Sequence, residues 1–189
     1  MIVQPELSKP LGATQAGVFS NLAFFLAGWI ACVLGAAAGH PWTGIFLTVL
    51  ITVAHIVQSA RPGQELALAA ITAALGMLWN SALLASGLLE FAGGGLNEWI
   101  APAWTLALGM LLATTLNVSL SRLGHHPWLT ALIGAILAPL AYIAADWLGA
   151  LSLPYPEIGI GTIGLGGMAT LPLLFHLAKR WNGASLLEA

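Results

Sequence analysis

The side chains best suited to chemistry in this chain are His55 and Glu65. Histidine is the residue whose unperturbed charge changes near neutral pH, and a carboxylate or imidazole held beside a reacting group moves a proton in the transition state. His55 and Gln58 are three apart, so on a helix they share a face. Glu65 follows Arg61, Pro62 and Gly63. There it can pair with Arg61 or His55, or serve only as an acid that suits the dipole of a first helical turn. A neutral, hydrogen-bonded His55 with no chemistry is the plainer alternative. Further on, Thr114, Asn117 and Ser121 fall at i, i+3 and i+7, and His176 precedes Arg180 by one turn. Arg61, Arg122 and Arg180 carry planar guanidinium forks that suit an anionic group such as a phosphate.

What positions these residues follows from composition. The chain has 189 residues, 59% hydrophobic and 6% charged, with a mean hydropathy of +0.91. Soluble domains carry about 25% charged residues. Five Lys and Arg with seven Asp and Glu do not cover a water-facing surface. The relevant unit is therefore a spanning helix of roughly 20 apolar residues. A net charge of −2 provides no basic field, which argues against nucleic acid as a partner. Cys32 is the single cysteine, so no intrachain disulfide forms, and no Cys/His spacing fits a metal site. No cofactor is expected.

Six apolar runs, 18–38, 42–60, 66–89, 103–121, 128–150 and 158–178, predict an all-α integral membrane bundle. A tail of residues 1–17 precedes the bundle at 18–178, and a tail of 179–189 follows it. The runs are long and nearly unbroken, unlike the alternating strands of a barrel. The first run is read as a span rather than a cleaved signal, because it reaches span length and its leader contains Glu6 and a single Lys9. Pro41, Pro62, Pro102 and Pro127 stand where helices start. With six spans, Lys9, Arg61, Arg122, Lys179 and Arg180 all fall on one side. Glu90, Glu98 and Glu157 fall on the other, with Asp146 near it. Both termini are therefore expected in the cytoplasm. Trp42, Trp99, Trp104, Trp128, Trp147 and Trp181 lie near span ends, as an aromatic belt does.

Polar side chains inside a bilayer are costly and face the bundle interior or a cavity. In this topology Asn21, His55, Gln58, Glu65, Asn117, His176 and Arg180 come from five spans at similar depth, with His55 about 8 Å inside the boundary at 1.5 Å per residue. The expectation is a cytoplasm-facing polar pocket. His55 and Glu65 are its acid–base candidates. Asn21, Gln58, Arg61, Asn117, Arg122, His176 and Arg180 line a site for a lipid or small anionic molecule. The competing reading is interhelical hydrogen bonding with basic side chains snorkelling to headgroups. His125 and His126 belong to a turn and are expected to be solvated.

A second, outward set holds Asn80, with Thr72 and Gly76 on its face, and Tyr142 with Asp146. Thr72, Gly76 and Asn80 also read as a helix-packing face, as do Gly28, Cys32, Gly35 and Gly39. Cys32 is then a packing residue, since nothing basic beside it favours a thiolate. Pro139 and Pro172 lie inside spans and are expected to kink them. Residues 159–164 match the dinucleotide fingerprint literally, but no strand precedes them and no acid follows about 20 positions later. Close helix packing or an unwound half-helix is the better reading. His40, Pro41 and Trp42 recur as His126, Pro127 and Trp128, opening the middle spans of two three-span halves. That pattern reads either as an inverted repeat of transporter type or as a convenient helix start.

Asn21 with Trp29, Ile30, Ala31, Cys32 and Val33, the Trp42, Thr43, Gly44 start, residues 115–119 and residues 139–142 resemble the bacterial inner-membrane family catalogued as domain of unknown function 2878. The resemblance covers about residues 20–180. It implies a multi-pass protein of the bacterial inner membrane, with no established activity and no catalytic residues to carry over. Members typically carry an acid in the third span where this chain has Asn80. Three functions then compete: a transporter or flippase, a membrane-embedded enzyme acting on a lipid, and an assembly subunit without a site. Halves related by an inverted axis favour the first. His55 within reach of Glu65 or Asn117 favours the second, and filled interfaces of merely paired polar groups favour the third. The bilayer is the one partner common to all three; oligomeric state is left open.

Overall fold

Prolines set the helix starts. Pro41, Pro62, Pro127 and Pro156 each occupy the first position of a helix, where a missing N–H costs nothing. Pro102 caps another. The computed structural model describes residues 15–184. Residues 1–14 and 185–189, and with them Lys9, most of the expected N-terminal tail and the end of the C-terminal one, lie outside the described residues.

Among the described residues six α-helices follow in order: α1 (Gln15–Ala37), α2 (Pro41–Gln58), α3 (Pro62–Ala85), α4 (Ala103–Leu116), α5 (Pro127–Trp147) and α6 (Pro156–Arg180). All but α4 are long and apolar enough to cross a membrane. Phe19, Phe46, Val57, Leu78, Trp147 and Leu165 point away from the bundle, an apolar surface too extensive for a water-soluble protein. This is a multi-pass membrane protein.

The fourth run is shorter than 103–121. Helix α4 has 14 residues, about 21 Å at 1.5 Å per residue, against a hydrocarbon core of roughly 30 Å. The chain leaves the helix through a turn in which Val118 N and Leu120 N both donate to Thr115 O, and then forms a 3₁₀ helix, Ser121–His125. Thr114, Asn117 and Ser121 are therefore not a helical stripe. Thr114 Oγ1 donates to Leu111 O, Asn117 is the C-cap, and Ser121 Oγ donates to Val118 O in the turn. Helix α4 tolerates its shortness because it sits centrally, with α1, α2 and α3 packed on it and nine of its residues buried. Carbonyls at its C-terminal end are met by protein, Thr114 O by Asn21 Nδ2 and Thr115 O by the turn that follows. Helix α3 starts at Pro62, ahead of the expected run 66–89, which brings Glu65 into its first turn.

Lipid gives helices no hydrophobic reason to associate, so close backbone approach at small residues does the work. A Cβ on Gly44 would lie 2.4 Å from the Cα of Cys32, joining α2 to α1, and one on Gly109 would lie 2.6 Å from the Cα of Ala73, joining α4 to α3. Gly134 and Gly167 face each other between α5 and α6, where a Cβ on Gly134 would reach 2.1 Å from Gly167 O. Helix α6 is continuous through its glycines, so residues 159–164 are neither a nucleotide loop nor an unwound half-helix. Helices α5 and α6 also run on through Pro139 and Pro172.

A two-stranded antiparallel sheet ties the α3–α4 loop to the α5–α6 loop, β1 (Glu90–Phe91) against β2 (Leu151–Ser152), with Phe91 opposite Leu151. Phe91 stacks edge-on against Trp104 at 5.6 Å, within an apolar cluster that includes Leu89 and Ile163. A second cluster, with Leu68, Leu116, Leu174 and Phe175, fills the opposite end. The two halves are not built alike. Helix α1 packs along α2, whereas their counterparts α4 and α5 do not pack along each other. The shared His-Pro-Trp is a helix start.

Candidate functional site

At the end of the bundle opposite the sheet, α2 and α4 finish and α3 begins. The buried stripe of α2 is Gly44, Thr48, Thr52 and His55. Its threonines have their own partners: Thr52 Oγ1 donates to Thr48 O at 2.9 Å, and Thr48 Oγ1 reaches across to α1, 3.1 Å from Cys32 Sγ. His55 ends the stripe. The short turn after α2 then points Glu65, in the first turn of α3, back toward it. His55 Nε2 lies 3.0 Å from Glu65 Oε2. From the end of α4, Asn117 Nδ2 donates to Glu65 Oε1 at 3.0 Å and to Trp181 O at 3.2 Å. Beyond α6, residues 181–184 fold back so that Gly183 N donates to Glu65 Oε1 at 2.9 Å, while Arg61 N donates to Gly183 O at 3.0 Å.

Two carboxyl oxygens thus accept from three elements of the bundle. Removing a charge from water costs several kcal/mol unless such partners compensate it. The Glu65 side chain is 1% exposed and that of His55 8%, so both members of the pair are buried. With a proton on Nε2, His55 donates to Glu65 Oε2; with the proton on the carboxyl and on Nδ1, the direction is reversed. The hydrogen bond is a direct route for a proton between the two.

The remaining candidates are placed differently. Asn21 Nδ2 donates to Thr114 O at 3.2 Å and Asn21 Oδ1 accepts from Ser119 Oγ at 2.6 Å, which fastens α1 to the end of α4. Gln58 is exposed and donates to Ala54 O in its own helix. Arg61 contributes its backbone N–H, and its side chain is half-buried. Arg122, His176 and Arg180 are exposed at the same end, as are His125 and His126. Among the described residues, no arginine forms an ion pair with Glu65. The structure therefore gathers His55, Glu65 and Asn117 and leaves the cations on the rim.

Near the opposite end, Tyr142 OH donates to Asn80 Oδ1 at 3.0 Å and Asn80 Nδ2 donates to Gly76 O at 2.9 Å, linking α5 to α3. Thr72 Oγ1 is buried without a hydrogen-bond partner among the described residues. Among the described residues, no group of three or more His, Cys, Asp or Glu is arranged to hold a metal.

Sequence reasoning missed Trp181 and Gly183, whose contributions are backbone atoms in what read as a tail. It also missed Ser119, visible only inside a family-like motif. The family described as protein of unknown function (DUF2878) matches residues 18–173. The chain belongs to the DUF2878 family. The DUF2878 segment contains His55, Glu65 and Asn117 and ends before residues 181–184. No curated protein and no solved structure matches the chain.

Proposed function

We propose that the protein is a membrane-embedded enzyme that works on a lipid or lipid-soluble small molecule by acid–base chemistry, with Glu65 and His55 as the reacting pair. The observation that carries this reading is a carboxyl 1% exposed inside the bundle, 3.0 Å from an imidazole. Ionisable groups at membrane depth are expensive and mark functional sites by default. A carboxyl held against an imidazole is an arrangement that orients a base and passes its proton. Asn117 holds Oε1 and acts as a positioning residue.

The filled-interface reading accounts for Asn21 with Ser119 and for Asn80 with Tyr142, where neutral groups pair between helices. It does not account for Glu65, because a neutral pair would join the same helices without burying an ionisable carboxyl. The transporter reading loses its architectural support with the unlike halves.

The same proposal places the protein in a bacterial inner membrane with six spans and both tails in the cytoplasm. Arg61, Arg122, Lys179 and Arg180 lie at the end holding Glu65, and Glu90, Glu98 and Glu157 at the other, the bias of a cytoplasmic face. Exposed Arg122, Lys179 and Arg180 then meet anionic headgroups.

The test compares lipid and small-molecule profiles of cells that carry the wild-type chain, lack it, or carry Glu65→Gln or His55→Ala. At least one species should change on loss of the chain, return with the wild type, and return with neither variant. Full return with both variants, at wild-type membrane levels, overturns the acid–base reading.

A further inference from the structure

Residues 181–184 occupy the polar valences of the Glu65 site with main chain alone. Gly183 N–H fills Glu65 Oε1, Trp181 O takes up the amide of Asn117, and Gly183 O takes up the N–H of Arg61. The fit requires glycine, because a Cβ at position 183 would lie 2.5 Å from Arg61 O and 2.7 Å from Glu65 Cγ. Trp181 anchors this strap against the apolar cluster of Leu68, Leu116 and Phe175. Asn182 Oδ1 turns it back by accepting from Ala184 N at 3.2 Å. The strap lies beyond the family-matched segment, whereas the groups it covers lie within it.

We propose that the strap is a cis-bound stand-in for the substrate, which lifts to open the site, and that the group replacing it is a hydroxyl on an amphipathic molecule. The hydroxyl's identity as substrate rests on the acid–base reading; the movement of the strap does not. With the strap away, the site presents one acceptor, Glu65 Oε1, and two donors, the second N–H of Asn117 Nδ2 and the main-chain N–H of Arg61. A hydroxyl has the matching inventory, one donor for the carboxylate and two lone pairs for the amide and the main-chain N–H. A phosphate does not, because its oxygens face a carboxylate and the exposed cations Arg122 and Arg180 stand at the rim. The hydroxyl that donates to Glu65 is also aligned to lose its proton to it.

The test reads access to Glu65 without any assay of activity. The full chain in lipid nanodiscs is treated with dicyclohexylcarbodiimide, which converts a reachable protonated carboxyl into an N-acylurea, and the adduct at Glu65 is followed by mass spectrometry. Gly183→Val should be modified about tenfold faster than wild type, the change expected when ordinary hydrogen bonds that close a local opening are lost. Glu65→Gln should carry no adduct at that position. Tyr142→Phe, which loosens the link at the opposite end, should react at the wild-type rate. Equal rates in Gly183→Val and wild type, or an equal rise in Tyr142→Phe, overturn the strap. If Gly183→Val does not fold, a chain ending at Arg180 serves with the same expectation. Added dodecanol should abolish the labelling of Gly183→Val at saturation and dodecyl phosphate should not; protection by the phosphate overturns the ligand class. Labelling gated by the strap, together with a profile restored by Glu65→Gln, would keep the strap and remove the acid–base function.

Discussion

At the scale of the residue, Glu65 is the group on which most depends. His55, Asn117 and Gly183 all direct their donors at its carboxyl. Glu65→Ala leaves three donors without an acceptor and should cost about 3–5 kcal/mol, the range for breaking a buried pair. Glu65→Gln keeps one oxygen as acceptor and should cost about 1–3 kcal/mol. Unfolding in detergent should rank the variants in that order, and equal stability of all three would mean the carboxyl is not buried as described. His55, Glu65 and Asn117 were legible in the sequence because polar types are rare in so apolar a chain and their spacing placed them at one depth. Gly183 was not legible, because its contribution is a backbone N–H, which no side chain announces. Arg122 and Arg180 are exposed for a physical reason: a long cationic side chain near a helix end gains more by reaching the interface than by entering the bundle.

At the scale of the element, the glycine contacts and the link between α3 and α5 carry distinct predictions. Gly134→Ala should push α5 from α6 and cost about 1–3 kcal/mol by overpacking, measured as a lowered melting temperature, because its Cβ would meet Gly167 O. A double-mutant cycle of Asn80→Ala with Tyr142→Phe should give a coupling near 0.6 kcal/mol and below about 1.7 kcal/mol. A coupling of zero would mean the 3.0 Å hydrogen bond adds nothing between the helices. Helix starts were readable from prolines. The end of α4 was not, because Val118 and Leu120 continue the apolar run through the turn. Burial there depends on α4 lying at the centre, which composition does not encode.

At the scale of the whole molecule, helix number and order follow from hydropathy, whereas the pairing does not. Which apolar faces meet is decided by small residues such as Gly44, Gly109 and Gly134, and any of the six runs offers several. The proposed topology is checked by single cysteines introduced after Cys32→Ala. Arg61→Cys and Arg122→Cys should react with a membrane-impermeant maleimide from the cytoplasmic side, and Glu98→Cys from the opposite side. Reversed labelling would invert the protein and move the Glu65 site to the outer face.

The measurement that bears most directly on the central claim is a kinetic cycle on the species identified by profiling, with Glu65→Gln, His55→Ala and the double variant in purified nanodiscs. Residues that act as one unit lose their effect together. The rate of the double variant should therefore equal that of the slower single variant. Losses that multiply, or a wild-type rate in either single variant, would contradict a shared acid–base centre at Glu65 and His55.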